Sequence, residues 1–286
     1  MIEVIDRIPT YPGRVKLIPV PGQENTYDMI RADSPIEDGT PINKALFESI
    51  KADVTALQNS VSDIINSHAH KTILATVPAG TEFVLYEGGI RVPFVKIAGE
   101  YGGTGRSLII RKHIYKVDTL MTSSQRNTYA NGKTDRWLNN ETTGYVSLLD
   151  EQTKAAIIAV PIESAKGNGN NTVETIDRKI FLLSYTEFGF SRTDRGVPEG
   201  TAVAYFNALE RRKAQYNGAA AEYWTRTPFI SSSIDSMAVA TNGAEVYMSA
   251  FNVTAGIRPA FTLPSDFEID LSVANTDNTV ATAEVV

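Results

Sequence analysis

Aromatic rings interleaved with short polar side chains mark one stretch of the sequence as a recognition surface. The residues are Phe229, Ser231, Ser232, Ser233, Asp235, Tyr247, Ser249, Phe251 and Asn252. Rings offer broad contact faces at low entropic cost, and short hydroxyl and amide groups adapt their hydrogen bonds to a partner. That combination supports non-covalent binding rather than bond making. A calcium site needs several carboxylates in close company. Asp235 and Glu245 are the only acids between residues 229 and 252, so no metal is expected there.

Groups suited to catalysis are sparse. The 286 residues include no cysteine and three histidines, His68, His70 and His113. Without cysteine there is no disulfide framework, thiolate zinc site, iron–sulfur cluster or thiol nucleophile. The redox compartment stays open, because such a chain suits either setting. His68 and His70 fall at the end of a helical pattern and His113 stands alone in the sequence, which gives no zinc-hydrolase cluster. A carboxylate pair for glycoside hydrolysis needs two acids that meet in space, and nothing in the order of residues marks one. Gly102-Gly103-Thr104-Gly105 lacks the Gly-Lys-Ser/Thr ending of a phosphate loop and reads as an ordinary turn. Neither an enzyme nor a bound cofactor is expected.

Charge and hydropathy exclude further classes. The net charge is -6, with Lys and Arg scattered, which argues against a nucleic-acid partner. No run approaches the roughly 20 apolar residues of a membrane helix, so no membrane insertion is expected. The opening MIEVIDRIPTYPGR carries Glu3 and Asp6 and no apolar core, so it does not read as a signal peptide.

Three parts must position these groups. Residues 1–42 form a leader holding Pro9, Pro12, Pro19, Pro21, Pro35 and Pro41, six of the 13 prolines. Proline removes amide donors and stops helices, so an extended, largely irregular leader that needs a partner is expected, with strand-like alternation over 14–20. Residues 43–70 carry Phe47, Ile50, Val54, Leu57, Val61 and Ile64 at alternating spacings of three and four. That is a heptad seam on an otherwise polar helix. Thr40 and Pro41 suit its start, and the end should fray over 67–70. Valine at one seam position with mixed Ile and Leu at the other allows a dimer or a trimer.

Residues 71–286 form the head. Strands are expected at 71–77, 82–86, 90–98 and 107–112, with Gly88-Gly89 as a hairpin turn. Helical segments follow from Asp135 and from Asp150, the second capped by Asp150. The Gly- and Asn-rich stretch 165–172 reads as a flexible loop, 179–184 as a buried strand, and 201–216 as an amphipathic helix. Strands then recur at 222–228, at 237–240 and 245–248 around Asn242-Gly243, and at 255–263. The composition after Asp270 reads as mobile, or as a strand lent to a neighbour.

Several of these segments resemble a known group. Tyr11-Pro12-Gly13-Arg14-Val15, the stretch 22–28, and Arg31-Ala32-Asp33-Ser34-Pro35 followed by residues 39–47 resemble the start of tail-tip proteins of phages and prophages of Gram-positive bacteria. The head resembles an uncharacterised module of such proteins. The matching pieces are Arg136-Trp137-Leu138-Asn139, Ile180-Phe181-Leu182-Leu183-Ser184, Tyr223-Trp224-Thr225-Arg226-Thr227-Pro228 and Gly256-Ile257-Arg258-Pro259-Ala260-Phe261. Tyr223 and Thr225 depart from the commoner form, which has a second Trp and Leu-Arg-Ser-Pro.

The resemblance implies an α+β chain with an extended N-terminal leader, a trimeric coiled-coil helix and a C-type-lectin-like head. That fold is shared with receptor-binding heads of some phages and with formylglycine-generating enzymes, whose active-site cysteines are absent here. It implies a homotrimer in a phage or phage-like tail, made in the bacterial cytoplasm. The leader would join other tail or baseplate proteins, and the head would bind a host cell-surface glycan or protein. The alternative is a structural tail or baseplate component without host contact. In either case Trp137, Trp224, Phe181, Leu182 and Leu183 read as core, and Arg226 and Arg258 as buried arginines bonded to carbonyls or an acid, since an unpaired buried guanidinium is costly.

Overall fold

The computed structural model describes residues 8–9, 15–31, 35–37, 44–122 and 126–273. The chain divides into two units, Met1–Ala69 and His70–Val286. Thr40, Pro41 and the tail beyond residue 273 lie outside the described residues.

In the first unit, strand β1 (Ile8–Pro9) precedes β2 (Val15–Pro19), β3 (Tyr27–Arg31) and β4 (Pro35–Glu37). β2 and β3 form an antiparallel hairpin from Val15 opposite Arg31 to Pro19 opposite Tyr27, and β1 pairs with β4. The leader is therefore more regular than its prolines imply: Pro9, Pro19 and Pro35 sit at the ends of strands, where a missing amide costs the ladder little. β2 is exposed along its whole length. Helix α1 (Lys44–Ala69) runs for 26 residues without fraying at residue 67. It is one helix with no helical mate among the described residues, so no coiled coil is seen. Its seam residues Phe47, Ile50, Val54, Leu57, Val61 and Ile64 are each 46% to 64% exposed.

The second unit mixes strands and helices but is mostly strands, arranged in several antiparallel sheets with a few short helices. It begins with β5 (Lys71–Ile73), β6 (Glu82–Glu87), β7 (Ile90–Ala98), β8 (Arg106–Arg111) and β9 (Lys116–Val117). Short helices α2 (Lys133–Leu138) and α3 (Glu151–Ala156) follow. Next come β10 (Val160–Gly167), β11 (Asn170–Arg178) and β12 (Ile180–Phe181), then the single-turn α4 (Leu209–Arg212). The remaining strands are β13 (Gln215–Tyr216), β14 (Ala219–Ala220), β15 (Tyr223–Pro228), β16 (Asp235–Val239), β17 (Glu245–Ser249), β18 (Gly256–Ile257), β19 (Ala260–Pro264) and β20 (Glu268–Asp270).

Seven strands form the larger sheet in the order β12-β19-β8-β7-β6-β20-β5. Its centre is buried on both faces, as Val92 to Ile97 of β7 show. Gly88 and Gly89 turn β6 into β7 with φ of +62° and +80°, the left-handed pair that a two-residue hairpin requires. Five strands form the second sheet, β17-β16-β15-β18-β9, in which β15 and β18 run parallel. Asp150 caps α3 by accepting the Thr153 N–H at 2.9 Å.

Three expectations need correction. Residues 165–172 are not a loose loop but the tip of a long hairpin, with Val160 opposite Arg178 and a turn at Asn168-Gly169 with φ of +53° and +78°. The strand expected over 179–184 stops at Phe181, because Leu182 and Leu183 give their carbonyls to Arg226. The helix expected over 201–216 survives only as a 3-10 turn at Ala204–Asn207 and the turn α4. Ala208 is extended between them, with φ -115° and ψ 139°. β20 had no clear signal in the sequence and pairs back onto β5 and β6.

Candidate functional site

Two buried arginines cross-link the interior. Arg111 grips Glu87 through Nε and Nη2 at 3.0 and 3.1 Å, and the Tyr145 hydroxyl donates to the same carboxylate at 2.5 Å. Arg226, with no exposed surface, holds Glu187 at 2.6 and 3.0 Å and donates to the carbonyls of Glu163 and Leu182. Burial works against the Arg226 charge, yet Glu187 outweighs it and raises the guanidinium pKa. Both arginines thus reach across elements distant in sequence. Arg258 donates to the Arg111 carbonyl at 2.9 Å and to the Tyr223 hydroxyl at 3.0 Å, which ties the two sheets.

The nine residues read as a recognition surface lie on and around β16 and β17. Phe229 and Tyr247 stack with ring centroids 4.1 Å apart and an interplanar angle of 11°. Tyr247 stays 43% exposed on β17 at the edge of its sheet. The Arg195 guanidinium lies 5.2 Å from the Tyr247 centroid and 5.9 Å from that of Phe229. Its main chain is pinned there, since Ile230 N–H donates to the Arg195 carbonyl at 2.9 Å and Gly196 bridges Phe229. A cation over two stacked rings presents both a π face and a positive charge. Arg195 escaped the sequence reading because it comes more than thirty residues before Phe229 in a stretch without regular structure.

The other seven divide by role. Ser231 is exposed. Ser232 spends its hydroxyl on the N–H groups of Ile234 and Asp235, at 3.2 and 3.1 Å. The Ser233 hydroxyl accepts from Arg126 at 2.8 Å. Asp235 opposite Ser249 closes the β16–β17 pairing. Ser249 and Asn252 shape the following turn, with Asn252 Oδ1 accepting from the Thr254 N–H and hydroxyl at 2.9 and 2.7 Å. Phe251 packs against the hydrophobic core. The structure therefore brings Phe229 and Tyr247 together, keeps Ser231 open, and turns Ser232, Ser249, Asn252 and Phe251 inward to local support. Ile234 and Val253, at 43% and 62% exposure, add apolar surface beside these residues.

Asn127 fixes the loop between Phe229 and Asp235. Its amide donates to the carbonyls of Ser232 and Asp235 at 2.8 and 2.7 Å, and its oxygen accepts the Asn168 N–H at 2.6 Å. One buried side chain thus joins that loop to the tip of the β10–β11 hairpin. Gly167, at φ +67°, is required there, since a Cβ would lie 2.7 Å from the Asn127 carbonyl oxygen.

The motif residues are mostly structural. Trp224 is buried and donates to the Asp118 carbonyl at 3.0 Å. Trp137 is half-buried between Tyr115 and Tyr145, with Lys116 Nζ 4.0 Å from its ring. Asn139 acts as a strand edge for β12, accepting from Lys179 and Ile180 and donating to the Ile180 carbonyl. A family described as a domain of unknown function (DUF6273) matches residues 104–265 of the 286. The chain belongs to the DUF6273 family.

The matched DUF6273 region holds every residue of the Arg226–Glu187 pair, the aromatic stack and the Asn127 staple, whereas Glu87 lies before it. No curated protein matches the chain. No solved structure matches it. Among the described residues no group of three or more His, Asp and Glu is placed to hold a metal ion, and no helix is long and apolar enough to cross a membrane.

Proposed function

We propose that this DUF6273 chain is a receptor-binding protein of a phage or prophage tail tip, whose oligomeric, C-type-lectin-like heads adsorb to a Gram-positive cell surface. The observation that carries the reading is the α1 seam. Six apolar residues in heptad register stand 46% to 64% exposed on a 26-residue helix. A helix whose large apolar residues fall in heptad register buries that stripe by pairing with copies of itself. The occupant proposed is two further copies of the chain, giving a trimer. Three heads on one axis then turn weak contacts at Phe229, Tyr247 and Arg195 into firm attachment.

The leader supports an attachment role. Val15, Leu17, Tyr27 and Met29 of the β2–β3 hairpin are 49%, 57%, 52% and 70% exposed. The same hairpin favours the second reading, a structural baseplate component that docks on its neighbours and touches no host. Adsorption separates the two. Purified full-length protein, fluorescently labelled, should bind cells or isolated walls of a Gram-positive host. Absence of binding at multivalent concentration, with particles lacking the protein still adsorbing, would establish the structural role.

A further inference from the structure

The head carries a cleft of about 840 Å³ that shares no residue with the Phe229–Tyr247 surface. Its walls come from the loop after β7, the start of β10 and the segment 200–205. A volume of this size falls within the range of small-molecule sites. Its floor is preorganised. The Tyr101 hydroxyl donates to Glu187 Oε1 at 2.7 Å, Arg226 holds the same carboxylate, and the Ser184 N–H donates to its other oxygen at 2.8 Å. Arg226 also fixes the opposite wall by donating to the Glu163 carbonyl at 2.7 Å. Gly200, at φ +72°, must lack a side chain, since a Cβ would meet Glu187 Oε1 at 2.9 Å. Its N–H donates to Glu163 Oε2 at 2.7 Å.

The lining chemistry is one-sided. Glu100, Glu163 and Glu187 contribute carboxylates, and no Lys, Arg or His lines the cleft. Glu187 is neutralised by Arg226, whereas Glu100 and Glu163 have no ion-pair partner among the described residues and are exposed. Thr175 and Thr201, the rings of Tyr101 and Tyr205, and apolar Val203 and Ile162 share the lining. A ligand to match has hydroxyls interleaved with C–H faces, and either no charge or a positive one. We infer that the cleft binds an aminated saccharide. The assignment concerns a site apart from the aromatic surface and stands whether or not that surface adsorbs to cells.

Isothermal titration or saturation-transfer NMR on the full-length protein tests it with four probes: glucosamine, N-acetylglucosamine, glucuronate and butylamine. Glucosamine should bind best, N-acetylglucosamine about threefold more weakly for loss of the ammonium beside exposed carboxylates, and the other two not measurably. Glu163→Gln should close the gap between the first two. Ala202→Trp, which fills the cleft from an exposed position, should abolish binding. Tyr205→Ala serves the same purpose if the tryptophan variant melts early. Tyr247→Ala should leave binding unchanged. The inference is overturned if no saccharide binds, if butylamine or glucuronate binds as well as glucosamine, or if Tyr247→Ala removes binding while the cleft variants do not.

Discussion

Arg226 and Glu187 meet as a bidentate pair at 2.6 and 3.0 Å with essentially no exposure to solvent. Two further guanidinium N–H groups donate to the carbonyls of Glu163 and Leu182, which belong to different stretches of the chain. Removing one partner strands a buried charge, which costs about 3–5 kcal/mol. Glu187→Leu and Arg226→Met should each destabilise the head by about that amount in denaturant melts. The double change Glu187→Leu with Arg226→Met should recover much of the loss. Strict additivity of the two losses would mean that the pair is not energetically coupled.

Tyr247 and Phe251 look alike in the sequence and differ in place. Tyr247 is exposed at a sheet edge, and Phe251 packs on the core. Tyr247→Ala should cost about 1 kcal/mol of stability through the lost stack and lower cell adsorption about tenfold. Phe251→Ala should cost about 2 kcal/mol of stability and leave adsorption by the folded fraction nearly intact. Thermal melts beside cell-binding curves check both.

Leu57 lies at the middle of the α1 seam and is 64% exposed. Leu57→Asp would put one carboxylate per chain into a shared apolar interface, where charge burial is costly. Light scattering should report a trimer for the native chain and a monomer for the variant. The melting temperature of the head should not move.

Glu199 is the buried carboxyl that most affects the pH response. Burial pushes it up to about 7, against the opposing pull of Arg226, the Thr227 hydroxyl and the Ala165 N–H, with Glu187 adding repulsion. A carboxyl with a raised folded pKa keeps its proton in the native state after the unfolded chain has released it. Stability is therefore fully present below about pH 4.5 and falls as pH rises to about 7. The total loss is on the order of 3 kcal/mol. Glu199→Gln should flatten stability across that window and raise it at pH 8 relative to the parent, as read by denaturant melts at stepped pH.

The features legible in the sequence are local. Gly88-Gly89 and Asn242-Gly243 force hairpins through their backbone freedom, and Asp150 announces a helix start through its own side chain. The hairpin of β10 and β11 carried the same signal at Asn168-Gly169, obscured by the low-complexity run around it. Its Val160, Ile162 and Ser164 alternate inward in the period of a strand. A continuous 201–216 helix does not form because Val203 and Phe206 are anchored in the core separately, with extended Ala208 after them. Tertiary packing there overrides a helical period. The candidate surface is legible in its aromatic residues but not in Arg195, and the cleft not at all. Both depend on contacts spanning many residues, as between Glu163 and Arg226.

The Asn127 staple has a consequence for variation. It holds the 232–235 loop through main-chain carbonyls, which every residue type supplies. Side chains at Ser231, Ser233 and Ile234 are thereby released from specifying the loop's path. A lineage could exchange those three residues, and with them the chemistry shown to a partner, while the polypeptide keeps one trace. Binding preference and foldability would then evolve as separable traits of a single domain.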